Sequence, residues 1–146
     1  MLSPVSAKIA VHVHATEEED KVLQAVKRLL PDIDIKMTKE VFTGYFGNKI
    51  IRFEGVVNKP KITKMLFTNL FRKIKGIIYP GWIIERFDEK NKSLYIRIDK
   101  QAAYLGEIRL GWGDDIIHIT FKFPGYLRIK GEDLEKEIEK LREQSE

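Results

Sequence analysis

The sequence predicts an α+β fold of two layers, a mostly antiparallel sheet with helices packed on one face. Three observations predict it. Several runs, among them 7–14, 93–98 and 115–123, alternate apolar and polar residues, so each strand would meet a core on one side only. Stripes at helical spacing separate these runs. Turn residues such as Gly113-Asp114 join neighbouring strands as hairpins. A chain of 146 residues, 43% hydrophobic and 33% charged, is read as one domain, 1–146, with enough apolar material for a core.

The first strand covers 7–14, with Ala7, Ile9, Val11 and Val13 on one side and Lys8, Ala10, His12 and His14 on the other. Thr16 and Glu19 have capping-box spacing, and the acids at 17–20 suit the positive end of a helix. That helix runs through Val22, Leu23, Val26, Leu29 and Leu30, and Pro31 ends it. A second strand is expected over Ile33–Thr43, with Ile35, Met37 and Val41 on one face. Gly44–Asn48 is its turn, and Lys49–Val57 returns as the third strand. Gly44-x-x-Gly47 has the spacing of the nucleotide-clamping KH loop, but that loop joins two helices and this one lies between strands.

Asn58-Lys-Pro60 opens the middle helix, with Asn58 as its cap, and the helix fades near Lys75-Gly76. Residues 77–91 are apolar but broken by Pro80-Gly81; a strand and a short helix around 82–87 are both open readings. Ser93–Ile98 is a strand, Asp99 caps a helical turn over Lys100–Leu105, and Gly106 closes it. Glu107–Trp112 reads as a strand with Ile108, Leu110 and Trp112 turned inward. Asp115–Phe123 follows, with Ile117, Ile119, Phe121 and Phe123 inward and His118, Thr120 and Lys122 outward. The last helix, Asp133–Glu143, carries a stripe of Leu134, Ile138 and Leu141.

Charge is unevenly distributed. From Gly55 to Ile84 there are six bases and no Asp or Glu, whereas the last fifteen residues hold seven acids and three bases. At about 100° per residue, the apolar residues of 62–74 fill a broad arc. The wedge left to water holds Lys61, Lys64, Thr68, Arg72 and Lys75. An ordinary surface helix gains from i,i+4 opposite pairs. This helix forgoes them and accepts repulsion, which an external anion would relieve. Polarised charge of this kind steers anionic partners to one side.

Catalytic patterns do not emerge. No cysteine is present, so disulfides, thiolate catalysis and cysteine-ligated zinc are excluded. His12-x-His14 and His118 read as surface residues rather than metal ligands, and Asp114-Asp115 serve a turn. No nucleotide fingerprint, nucleophile elbow or RNP aromatic motif occurs. Aromatics do stand close to bases: Tyr95 with Arg97, Tyr104 with Lys100, Trp112 with Arg109, and Tyr126 with Arg128. Aromatic planes stack on unpaired bases while Arg and Lys hold phosphates. Trp112 is assigned to the core; Tyr95 and Tyr104 are open between core and stacking roles.

Three segments resemble a known family: His14–Val22, Gly44–Ile50 and Leu94–Ile108. They are similar to an archaeal family of RNA-binding proteins with a double-stranded-RNA-binding-domain-like fold, described as predicted exosome subunits. A sister group shares its fold with the large-subunit ribosomal protein that holds 5S RNA. The resemblance implies an RNA-binding role, with exosomal or ribosomal components as partners. One departure matters: the last helix lacks the Lys-Lys-x-x-Lys cluster of true double-stranded-RNA domains and is acidic, so RNA should meet the middle helix instead.

The expectation is a non-catalytic RNA-binding protein that recognises backbone and shape. Its candidate contacts are Lys59, Lys61, Lys64, Arg72, Lys73, Lys75, Arg97, Lys100 and Tyr104, with no cofactor and no metal. The alternative is an interaction module whose basic helix docks on an acidic protein. With no apolar run long enough to span a bilayer and no leader pattern, the expected location is the cytoplasm. Scarce Asn and Gln beside plentiful Lys and Glu point to a thermophilic source.

Overall fold

The computed structural model describes residues 2–30, 35–75 and 78–143. These form six strands and five helices: β1 (Ser6–Val13), α1 (Glu19–Leu29), β2 (Thr38–Thr43), β3 (Lys49–Val57), α2 (Pro60–Lys73), α3 (Trp82–Arg86), β4 (Phe87–Asp88), β5 (Ser93–Asp99), α4 (Lys100–Tyr104), β6 (Ile116–Lys122) and α5 (Gly131–Glu143). The strands make one sheet in the order β2-β3-β1-β6-β5-β4, and every neighbouring pair is antiparallel. The architecture is therefore the expected α+β one.

The register lays apolar side chains in rows beneath the helices. Gly55, Ile9, Ile119 and Ile96 form one row; Phe53, Val11, Ile117 and Ile98 form the next. All six isoleucines and valines in these rows are at most 1% exposed. From the helix layer, Phe67 of α2 reaches down edge-on to Phe121 at 5.2 Å and to Phe71 at 5.0 Å between centroids. Each such buried ring contributes about 1.5–3 kcal/mol. Gly55 lets the next segment approach closely: a Cβ there would lie 2.5 Å from Met37 Sδ and 2.6 Å from Ile35 Cγ2, and those side chains would have to shift. The chain entering β2 thus presses directly on β3.

Several expected boundaries change. β2 starts at Thr38; Ile35 and Met37 pack on the core ahead of it, while Val41 is 57% exposed because the strand lies at the sheet's edge. Residues 33 and 34, the expected start of that strand, lie outside the described residues, as do Pro31, Gly76 and Ile77. The Thr16–Glu19 capping box does not form. α1 begins at Glu19 without a side-chain cap, and the Glu17 carboxylate accepts the His14 N–H at 3.0 Å instead. Lys59, not Asn58, precedes α2, with Pro60 in its first turn. Between 82 and 88 the open choice resolves as a short helix followed by a two-residue strand. Asp99 caps α4 as expected, accepting the Ala102 N–H at 2.8 Å.

The largest correction concerns Glu107–Trp112. Among the described residues this stretch forms no strand: a single bridge joins Leu110 to Ile98 of β5, and another joins Arg109 to Lys75 beyond α2. Trp112, assigned to the core, is 84% exposed. The chain leaves β5 at Gly111 to reach the Gly113 turn (φ 78°), and this carries the indole off the sheet.

Candidate nucleic-acid interface

The helix α2 has a buried and an exposed side. Its inner side buries Thr63, Leu66, Phe67, Leu70 and Phe71, and its outer side exposes Lys61, Lys64, Met65, Arg72 and Lys73. Thr63 is fully buried because its hydroxyl donates to the Lys59 carbonyl at 2.9 Å and so needs no water. A groove of about 610 Å³ runs along α2 beside the C-terminal end of α1, lined by Lys61, Lys64, Arg72, Lys73, Thr68, Asn69, Met65 and the Leu29-Leu30 pair. No carboxylate is among the described residues lining it. Lysines spaced along a helix with polar and apolar residues between them suit a chain of phosphates better than a single ion.

The other candidates separate from this groove. Lys59 is exposed at the start of α2. Lys75 lies past the helix and pairs with Glu107 at 3.4 Å. Arg109 and then Lys75 hold the Glu107 carboxyl below its ordinary range. Tyr104 is half-buried where α1 meets α4, with the Arg28 guanidinium 5.1 Å from its ring centroid. Lys100 must be removed from the surface set. It is 2% exposed, and its ammonium donates to the His12 carbonyl at 2.8 Å and to Glu17 at 2.9 Å, with Asp115 at 3.3 Å. Two hydrogen bonds and this ion pair hold the ammonium inside, so the lysine ties the ends of β1, α1 and β6 together.

Arg97 is exposed on the opposite face of the sheet, the one without helices. There the register lines up Glu54, Ala10, His118 and Arg97, with Val56, Lys8, Thr120 and Tyr95 beside them. Glu54 is held below the ordinary carboxylate range, first by Arg52 and then by Lys8 at 3.1 Å. His118 and His12 are both lowered from 6.5. Desolvation is the larger cause for each, followed by Arg97 for His118 and by Arg52 for His12. Both shifts favour the neutral imidazole. Among the described residues, no group of three or more His, Asp or Glu converges on a point where a metal ion could bind.

Sequence reasoning missed a second concave surface at the β5 edge. Tyr95 and Arg97 of β5, Trp82 and Arg86 of α3, and Leu110–Trp112 line a groove of about 910 Å³. A usable signal existed. Trp112 stands between Gly111 and Gly113, a setting for a turn rather than for the middle of a strand.

The family whose sequence model matches residues 6–123 is described as RNA binding. The chain belongs to that family. The matched span runs from β1 past the end of β6 and includes both grooves. A protein of Methanocaldococcus jannaschii is 39% identical over 145 residues, covering 91% of this chain and 93% of its own length. A Pyrococcus abyssi protein that bears the name RNA-binding protein is 31% identical over 129 residues, covering 82% of this chain and 81% of its own. Two solved DUF54 structures share the fold. One from Methanothermobacter thermautotrophicus has TM-score 0.73 and 28% identity, covering 95% of this chain and 98% of its own. One from Archaeoglobus fulgidus has TM-score 0.76 and 29% identity, covering 94% and 99%.

Proposed function

We propose that this protein is a non-catalytic RNA-binding protein that grips structured RNA by its backbone and shape, through the cationic groove of α2. The observation that carries the reading is the α2 groove, in which Lys61, Lys64 and Lys73 gather. Membership of the RNA-binding family and the name of the Pyrococcus relative support it. Backbone contacts carry no sequence information, so affinity should vary little between RNAs of equal structure. The whole chain, 1–146, acts as one binding unit in the cytoplasm, as an accessory to a larger RNA assembly such as the exosome or the ribosome.

The test is salt. If three lysines, Lys61, Lys64 and Lys73, each neutralise a phosphate, log affinity for an RNA duplex falls with log salt with a slope of roughly −3. Replacing all three with Glu abolishes that slope while the melting temperature stays within a few degrees, because exposed charge changes alter stability by under about 0.5 kcal/mol. A folded triple variant that binds duplex as the parent does would move the reading to a protein-docking role for the same helix.

A further inference from the structure

The groove at the β5 edge differs in chemistry from the one on α2. We infer that it holds unpaired nucleotides of single-stranded RNA, with bases stacked on Trp112 and Tyr95 and a phosphate on Arg97. This rests on the RNA-binding reading but not on the α2 face.

Three observations carry it. The first is exposure. Trp112 is 84% exposed and Tyr95 48%, and both line the same groove. An indole left in water on a segment fixed to the sheet forgoes burial that a partner would supply. Position 111 holds the segment close: a Cβ on Gly111 would lie 2.8 Å from the Asp99 backbone nitrogen. Trp112 is thus presented from an anchored backbone.

The second is the edge of β5 itself. β4 pairs with it at Ser93 and Leu94, and the segment around Leu110 bridges to it at Ile98. Between these short partners, Tyr95 and Ile96 have no ladder partner on that side among the described residues. The Arg97 carbonyl accepts the Gly111 N–H at 2.9 Å, so Arg97 turns its backbone groups to the edge, and antiparallel alternation turns those of Tyr95 the same way. The floor of the groove therefore offers a backbone donor and acceptor beside an aromatic plane.

The third is charge. Arg97 is exposed, and Arg86 is held over the Trp82 ring at 4.2 Å, which fixes its guanidinium at the wall. Two acids also line the groove, both tied to its wall. Asp88 accepts from the Lys90 and Asn91 backbones and from the Asn91 amide at 2.7 Å; Glu85 accepts the Tyr79 hydroxyl at 2.6 Å and pairs with Arg86 at 3.4 Å, so Arg97 is the cation assigned to the phosphate. Stacking planes interleaved with guanidinium groups, in a cleft of small-molecule size, are what unpaired bases and their phosphates fit. A duplex keeps its bases stacked inside and offers none to Trp112.

The experiment uses the full chain, a labelled oligouridine of about a dozen nucleotides and an RNA duplex of about 16 base pairs. The oligouridine should quench the fluorescence of the exposed tryptophan, since Trp82 is 4% exposed and shielded. Trp112→Ala should weaken oligouridine binding about tenfold and leave duplex affinity within about twofold, and Trp112→Phe should restore most of the loss. The Lys61, Lys64 and Lys73 reversal should lose duplex and still quench. Parent-like oligouridine binding by Trp112→Ala, or a parent that binds duplex while oligouridine leaves its tryptophan fluorescence unchanged, overturns this inference alone. Equal quenching by uridine monophosphate at the same concentration overturns it in favour of a free nucleotide. A parent that binds neither RNA overturns the RNA-binding reading as well.

Discussion

The α2 groove and the β5-edge groove offer two different answers to an anionic polymer. The first is cationic with no aromatic among the described residues that line it; the second holds aromatic planes, two guanidinium groups and two carboxylates. A row of lysines reads charge spacing, and its affinity fades with salt. An indole beside a strand edge reads a base face, which salt weakens far less. The two surfaces lie on different sides of the molecule, on the helix layer and at the margin of the bare sheet face, so each can be disabled without touching the other.

The largest expected effect tests whether either groove stands independent of the fold beneath it. Lys100→Ala removes the cation from a buried cluster and leaves the Glu17 carboxylate, 19% exposed, without its partner. Breaking such a pair costs about 3–5 kcal/mol. Thermal unfolding should show that loss, while the salt slope for duplex binding stays at the parent value. A stable Lys100→Ala protein with a shallower slope would return Lys100 to the RNA surface and undo the separation drawn here.

Leu66→Ala should come next. Leu66 is 1% exposed on the inner side of α2 and its truncation costs about 2–5 kcal/mol. Both RNA affinities should fall together, and only at temperatures where the variant unfolds. Selective loss of duplex binding at a temperature where it remains folded would mean that the α2 groove changes shape with its core. As a control, Glu132→Lys and Glu139→Lys on the acidic α5, both exposed, should lower neither affinity.

These contrasts also explain what was legible in the sequence. The strands, their pairing sense and the inner face of α2 follow from periods of 2 and 3.6, which are local. The cationic wedge is local too, since Lys61, Lys64 and Lys73 lie within four turns of one helix. Lys100 was misplaced because lysine is ordinarily a surface residue, and its burial depends on Glu17, 83 positions earlier. The β5-edge groove is hard to read from sequence for a related reason. It is assembled from α3, β5 and the segment before Gly113, three stretches that no single period relates. Trp112 fell in phase with Ile108 and Leu110, and the period gave no sign that the strand would break at a single bridge.

The smallest effect sharpens the comparison most, because His118 lies on the bare sheet face next to Arg97 and away from α2. Its folded pKa is lowered from 6.5, by desolvation first and by Arg97 second. The unfolded chain therefore takes up this proton at a higher pH than the folded one, and stability falls as pH drops below about 6.5. Arg97→Ala removes the second cause, so the His118 pKa should rise and that loss on acidification should shrink, as NMR titration and melting curves would show. A phosphate held by Arg97 acts in the same direction, since a nearby anion favours the imidazolium. Oligouridine should then raise the His118 pKa in the parent protein and not in Trp112→Ala. A duplex bound along α2 should leave it unmoved. A His118 shift of equal size with both RNAs would mean that one continuous surface binds them, and the two-groove description would fail.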